Sequence, residues 1–266
     1  MPIEPLLIAE LAALGIMTGF LAGLLGIGGG MIMVPAMTWV LETRHAPAEH
    51  VIKMAVATSL ASICLTSISS VRAHHARRAV LWPVALSLAP GIVVGSLIAS
   101  QVAMAVSGKA LSLLFAVFVA FSATQMLLDR KPKPSRTLPG PLGLFGAGLP
   151  IGGLSALVGA GGAFISVPFM TWCNVNIHKA VGTSAALGFP IAVAGTVGYL
   201  WSTWDMQGLP PGSFGYLYIP GLVVVSIASF CMAPVGARMA HAMDIRPLKK
   251  AFAIVLYLLA AYFLIR

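Results

Sequence analysis

Two glycine clusters, Gly26, Gly28, Gly29, Gly30 and Gly159, Gly161, Gly162, interrupt stretches of sequence that hold no Asp, Glu, Lys or Arg. Glycine costs about 1 kcal/mol in a helix interior, so three or four together predict a broken helix. Inside a bilayer, broken backbone survives only where protein buries it or where it lines a wet cavity. Short apolar pieces resume at about Met31 and Ala163 and end near Pro35–Trp39 and Pro168–Trp172. Their first turns would present unpaired amides carrying about half a positive charge, which bind an anion without a basic side chain. The expected ligand amides lie beside Gly28, Gly29 and Gly30 and beside Gly161, Gly162 and Ala163. A second reading of these glycines is close helix packing, the role that the spacing of Gly15, Gly19 and Gly23 suggests.

Hydroxyls form the second candidate set. Thr58-Ser59 and Thr183-Ser184 recur in matching contexts, and a hydroxyl can donate to an oxyanion at no ionisation cost. Ser and Thr also hydrogen-bond within membrane helices, so packing is the competing role. Lys53, His178 and Lys179 stand just before these pairs, where a cation either attracts anions or snorkels to the headgroups. His74, His75 and the arginines beside them read as a loop, and Trp39, Trp172, Trp201 and Trp204 as interfacial anchors.

The elements that must position these groups are membrane helices. Of the 266 residues, 59% are hydrophobic and 9% charged, and the mean hydropathy is +0.96. A soluble domain carries roughly 25% charged residues. The runs Leu11–Leu41, Thr137–Ile177, Ala180–Trp204 and Met206–Ala237 are free of Asp, Glu, Lys and Arg. About 20 apolar residues cross a bilayer core, so several runs hold more than one crossing. Apolar segments are expected at about 6–27, 30–41, 51–71, 79–100, 110–128, 141–159, 162–173, 180–201, 214–236 and 247–265. The Pro-rich basic stretch Asp129–Pro141 is the one linker. It divides the chain into an N-terminal repeat (1–130), a cytoplasmic linker (131–140) and a C-terminal repeat (141–266).

The halves are duplicates. Gly19–Trp39 aligns with Gly152–Trp172 at 12 identities in 21, AVATS at 55–59 with AVGTS at 180–184, and PGIVVGS at 90–96 with PGLVVVS at 220–226. Each half holds five segments, an odd number, so the second copy is expected to enter the membrane upside down. Charges agree: Arg72, Arg77 and Arg78 put the loop after the third segment inside, whereas the matching 202–213 region has no Lys or Arg and carries Asp205. This threading puts 12 of 16 Lys/Arg inside and 5 of 7 Asp/Glu outside, with both termini outside. The fold expected is an all-α integral membrane protein of two inverted-topology repeats, with eight to ten segments depending on how the short pieces count.

Several functions are excluded or disfavoured. No segment centre carries a carboxylate, which argues against a buried acidic proton relay. GxxxxGK[ST], GxSxG and HExxH are missing, and GIGGGM and GAGGAF miss the GxGxxG pattern. No catalytic residue, cofactor or metal site is assigned. The net charge of +9 is explained by loop arginines and lysines, with no nucleic-acid partner implied. Cys64, Cys173 and Cys231 have no paired spacing. Glu4 and Glu10 stand where a leader would be basic, so the N-terminal segment reads as retained.

The doubled G-x-G-G…V-P motif, HKAVGTS at His178–Ser184 and the P-G…G pattern at Pro90–Gly95 resemble the TauE/SafE sulfite-exporter family of membrane permeases. The resemblance covers nearly the whole chain. It implies transport of small sulfur-containing anions such as sulfite or organosulfonates across the cell membrane, by alternating access, and it points to the glycine breaks and the Thr-Ser pairs. The first copy departs from the motif at Ala57, where the second has Gly182, and at Lys53-Met54 in place of His178-Lys179. A passive anion channel is the alternative function, and an enzyme is not expected. The partners expected are a small anion and the lipid bilayer.

Overall fold

The computed structural model describes residues 5–25, 29–128, 136–242 and 246–265, which form ten helices and one hairpin. Gly26, Gly28 and linker residues 129–135 lie outside them. In chain order the elements are α1 (Pro5–Leu25), α2 (Gly30–Thr43), α3 (Ala48–His75), α4 (Trp82–Ala105), α5 (Gly108–Leu128), α6 (Pro141–Val158), α7 (Ala163–Trp172), α8 (Ile177–Trp201), β1 (Ser213–Phe214), β2 (Leu217–Tyr218), α9 (Ile219–Ala242) and α10 (Arg246–Ile265). The protein is an all-α integral membrane protein.

Helix lengths sort the elements by what they can do. Seven helices (α1, α3, α4, α5, α6, α8 and α9) are long and apolar enough to cross a membrane. At 1.5 Å per residue the 10 residues of α7 reach about 15 Å and the 14 of α2 about 21 Å, short of a ~30 Å bilayer core. α10 has the shorter apolar stretch Lys250–Ile265 and packs along α5, where Phe115 meets Phe263 at 5.0 Å and the Thr124 and Tyr257 hydroxyls lie 2.7 Å apart. Leu86, Ile98, Leu113, Val117, Ile227 and Leu258 are exposed, as a lipid-facing surface requires.

The contacts fix the course of each helix. Along α1 and α9, Gly15 faces Val225, Gly19 faces Ser229 and Gly23 faces Ala233, so these two run parallel. α3 runs with them, since Thr66 bonds Ser229 at 2.6 Å and the Arg77 guanidinium donates to the Ala237 carbonyl at 3.0 Å. Gly91 faces Phe145 and Gly95 faces Leu149, so α4 and α6 are parallel to each other. α8 joins that group, because Leu81 reaches Thr183 and Gln101 reaches Gly198. Between the groups, α3 and α8 cross at the centre in opposite senses, with Gly182 against Ala79 and Gly195 against Leu60. Small residues make both parallel seams: a Cβ at Gly23 would strike the Ala233 carbonyl, and one at Gly95 the Leu149 carbonyl.

These courses segregate charge. Arg72, Arg77, Arg78, Arg136, Lys179 and Arg238 fall at one end of the molecule. Glu42, Glu49 and Asp205 fall at the other, with Arg44, Lys53 and Lys109.

The fourth and ninth helices depart most from the sequence expectation. The fourth helix occupies 82–105, since Pro83 lies in its first turn, where proline is tolerated, and nothing stops it before Val106. The ninth begins at 219 because residues 213–218 form a hairpin pairing Ser213 with Tyr218 and Phe214 with Leu217. Its Tyr216 is buried and bonds His50 Nδ1 at 2.8 Å. Burial, with the Glu49 carboxylate adding to it, pushes the Tyr216 phenol up to about 12, so the contact is made by a neutral hydroxyl.

Candidate functional site

The backbone at the two breaks is nearly the same. Gly29 (φ 75, ψ −6) caps the start of α2, and Gly162 (φ 82, ψ −8) caps the start of α7. Both are left-handed, a conformation that glycine adopts without steric cost. The Gly29 carbonyl accepts from the amides of Ile32 and Met33 at 3.3 and 3.2 Å, and the Gly162 carbonyl from Ile165 and Ser166 at 3.1 and 2.9 Å. The amides of Gly30, Met31, Ala163 and Phe164 therefore precede the first intrahelical bonds and form the positive end of each short helix. A side chain is strained at both by the positive φ, and at Gly29 it also meets fixed backbone. A Cβ at Gly29 would lie 2.6 Å from the Thr18 carbonyl oxygen, and one at Gly162 would lie 2.5 Å from Ile191 Cδ1.

The two breaks meet. Gly30 abuts the Gly159 carbonyl and the Cα of Ala160, so the start of α2 touches the chain between α6 and α7. Ser59 on α3 donates to that same Gly159 carbonyl at 3.0 Å. On the α7 side, the Ser166 hydroxyl donates to Ser184 Oγ at 2.8 Å, tying α7 to α8. Gly161 faces Gly188 of α8, and Ser155 Oγ lies near Gly162. Gly29, Gly30, Ser59, Gly161, Gly162, Ala163, Ser166 and Ser184 are all buried, so the junction is closed to solvent.

The threonines of the two pairs hold helix starts. Thr58 Oγ1 accepts the Tyr218 amide at 3.0 Å, just before α9, and Thr183 Oγ1 accepts the Leu81 amide at 2.9 Å, just before α4. The serines of each pair face the breaks. The three candidate cations are not brought together. Lys53 is buried, with Nζ donating to the Met104 carbonyl at 3.1 Å, near the end of α4. His178 and Lys179 are exposed at the opposite, arginine-rich end. Gly28 lies outside the described residues.

Sequence reasoning did not single out Ser166 or Ser155. Each is a lone hydroxyl in a charge-free run. The position matching Ser166 in the first half is Met33, so the repeat gave no signal for it.

The seam of α3 with α9 beside the junction is the richer in hydroxyls, while α4, packed on α8, buries Ser96 at the position matching Ser226, and Ser100. On α3, Ser62, Thr66, Ser69 and Ser70 continue the face begun by Ser59, and α9 supplies Ser226 and Ser229, all buried. Thr66 and Ser229 bond each other, and Ser69 donates to the Phe230 carbonyl at 2.6 Å. The Thr58-to-Thr183 offset places Leu187, Ile191 and Ala194 at the α8 positions that match Ser62, Thr66 and Ser69, and these are buried too.

The family model for the sulfite exporter TauE/SafE matches residues 11–263, spanning both breaks and the helices that carry them. The chain belongs to the TauE/SafE family. It is 32% identical over 247 residues to a "probable membrane transporter protein" of Haemophilus influenzae, covering 92% of this chain and 94% of that one. A probable membrane transporter protein, YdhB, of Bacillus subtilis is 27% identical over 253 residues, again covering 92% and 94%. Another, from Methanocaldococcus jannaschii, is 27% identical over 86% of this chain and 83% of its own. No solved structure matches. This TauE/SafE protein is a multi-pass membrane transporter.

Proposed function

We propose that this TauE/SafE protein is a secondary carrier that moves a small sulfur-containing oxyanion or organosulfonate by alternating access. One observation carries the reading: two half-length helices begin at left-handed glycines that are packed together at a buried junction. An anion in a low-dielectric site needs donors. The residues placed at the junction include no Lys or Arg, so the donors are the amides beside Gly29–Gly30 and Gly161–Ala163, assisted by Ser59 and Ser184. We read the halves as inverted repeats with the arginine-rich end in the cytoplasm. The opposite courses of α3 and α8, and of α1 and α6, support this, as does the charge segregation.

The closed junction favours a carrier over a passive channel, because an open pore would leave these residues wet. Counterflow in proteoliposomes is the test. Vesicles preloaded with unlabelled sulfite or sulfoacetate should concentrate the labelled anion transiently, whereas a channel gives no overshoot. Absence of overshoot for both anions, with ordinary leak retained, sinks the carrier reading. Overshoot with dicarboxylates alone sinks the substrate class.

A further inference from the structure

Away from the glycine junction, the arginine-rich end of the molecule has a depression of its own. A cavity of about 330 Å³ lies between the end of α3, the turn that follows it, and the C-terminal half of α9. Arg72, Arg77 and Arg238 line it, with Ser69, Ala73 and Ala76 leaving room between them. Among the described residues that line it, three are arginines and none is a carboxylate. Arg77 is held in place by its bond to the Ala237 carbonyl at 3.0 Å. Carbonyls in the last turn of α3 accept amides of the turn that follows. The Arg72 carbonyl accepts the Ala76 amide at 3.0 Å, and the His74 carbonyl accepts those of Arg77 and Ala79 at 3.2 and 3.1 Å. Arg72, Arg77 and Arg238, all exposed to solvent, border one open depression whose volume is at the small-ligand end of the roughly 300–1,000 Å³ range of binding pockets.

We propose that this cavity binds a tetrahedral oxyanion, a sulfate-, sulfonate- or phosphate-type group, through forked bonds from Arg72, Arg77 and Arg238. The Ser59 position lies thirteen residues back along α3, about 20 Å away, so the cavity is distinct from the glycine junction. The same chemistry has two sources, a small soluble anion or the phosphate of an anionic lipid.

Arginine modification by phenylglyoxal, read residue by residue by peptide mass mapping, tests the proposal on the unaltered protein. One arm uses detergent-solubilised protein with sulfate or methanesulfonate, against chloride at equal ionic strength. The other uses nanodiscs of phosphatidylglycerol against phosphatidylcholine. Modification of Arg72 and Arg238 should slow roughly tenfold relative to Arg78, which is likewise exposed but does not line the cavity, the scale expected when forked, charge-assisted bonds are made. Protection by the soluble anions assigns the first source, and protection by phosphatidylglycerol alone assigns the second. In the double variant Arg72→Gln, Arg238→Gln, protection of Arg77 should be lost. Protection should persist in Gly162→Ala, so failure of the junction as a transport site leaves this result standing. Equal rates in every arm overturn the proposal.

Discussion

At Gly162 the chain takes a φ of 82 and lies against Ile191, and this makes the residue a sensitive probe of the junction. Alanine there costs about 1 kcal/mol or more for the left-handed backbone and makes the Ile191 methyl shift. Gly162→Ala should therefore abolish uptake and lower thermal stability, while Gly146→Ala, on an exposed face with open space around it, should leave uptake unchanged. Equal activity of the two variants would remove the junction from the mechanism. The hydroxyls divide in the same way. Thr183→Val strands the Leu81 amide, at about 1–3 kcal/mol, and should appear mainly as a lower Tm. Ser184→Ala should weaken sulfonate binding in calorimetry with a smaller change in Tm, and the reverse ranking would exchange their roles. The sequence makes the two Thr-Ser pairs visible because they recur. It does not reveal that the threonines turn toward helix starts and the serines toward the breaks, since that depends on which neighbour each face of α3 and α8 meets. Ser166 was hidden for a related reason: a lone hydroxyl without a counterpart in the repeat looks like packing until a partner 2.8 Å away is known.

Among the elements, the broken helices were the most legible, because a cluster of three or four glycines in a charge-free run can hardly stay helical. The hairpin at Ser213–Tyr218 was not, since two-residue strands leave no periodicity to read. Its role is to bring Tyr216 to His50 and the Tyr218 amide to Thr58, joining the loop before α9 to α3. The seam between α1 and α9 gives the sharpest prediction at this scale. Gly19 lies directly against Ser229, so Gly19→Leu should prevent the two helices from docking. Loss of monodisperse protein on size exclusion is the expected result. A folded, active variant would show that the seam can part without harm. Lys53 also acts between elements, fixing α3 to the end of α4. Lys53→Met should leave the salt dependence of uptake unchanged, whereas Lys179→Gln, exposed at the arginine-rich end, should slow uptake chiefly at low ionic strength.

For the whole molecule, orientation in the membrane is the property to test. Single cysteines at Ala76 and Thr137, in a background without Cys64, Cys173 and Cys231, should resist an impermeant thiol reagent in intact cells. One at Gln207 should react. All three positions are exposed, so access depends on sidedness alone. The reverse labelling pattern would invert the assignment of the arginine-rich end. The duplication and charge bias in the sequence supply the elements of this topology, while the pairing of α1 with α9 and of α4 with α6 comes only from the packed structure.

The unequal seams beside the junction have an electrical consequence. Parting α3 from α9 exchanges hydroxyl–hydroxyl bonds such as Thr66–Ser229 for bonds to water, an almost even trade. Exposing Leu187 and Ile191 in the matching half wets hydrocarbon instead. If the proposed carrier opens on the hydroxyl-rich side, water there carries bulk potential inward to the junction, and more of the membrane voltage falls across the other half. A charge crossing that full voltage is worth about 2.3 kcal/mol per 100 mV. An anion reaching the junction from the arginine-rich side should thus bind with the weaker voltage dependence, and its step through the other half should carry the larger share of the charge movement recorded on a solid-supported membrane.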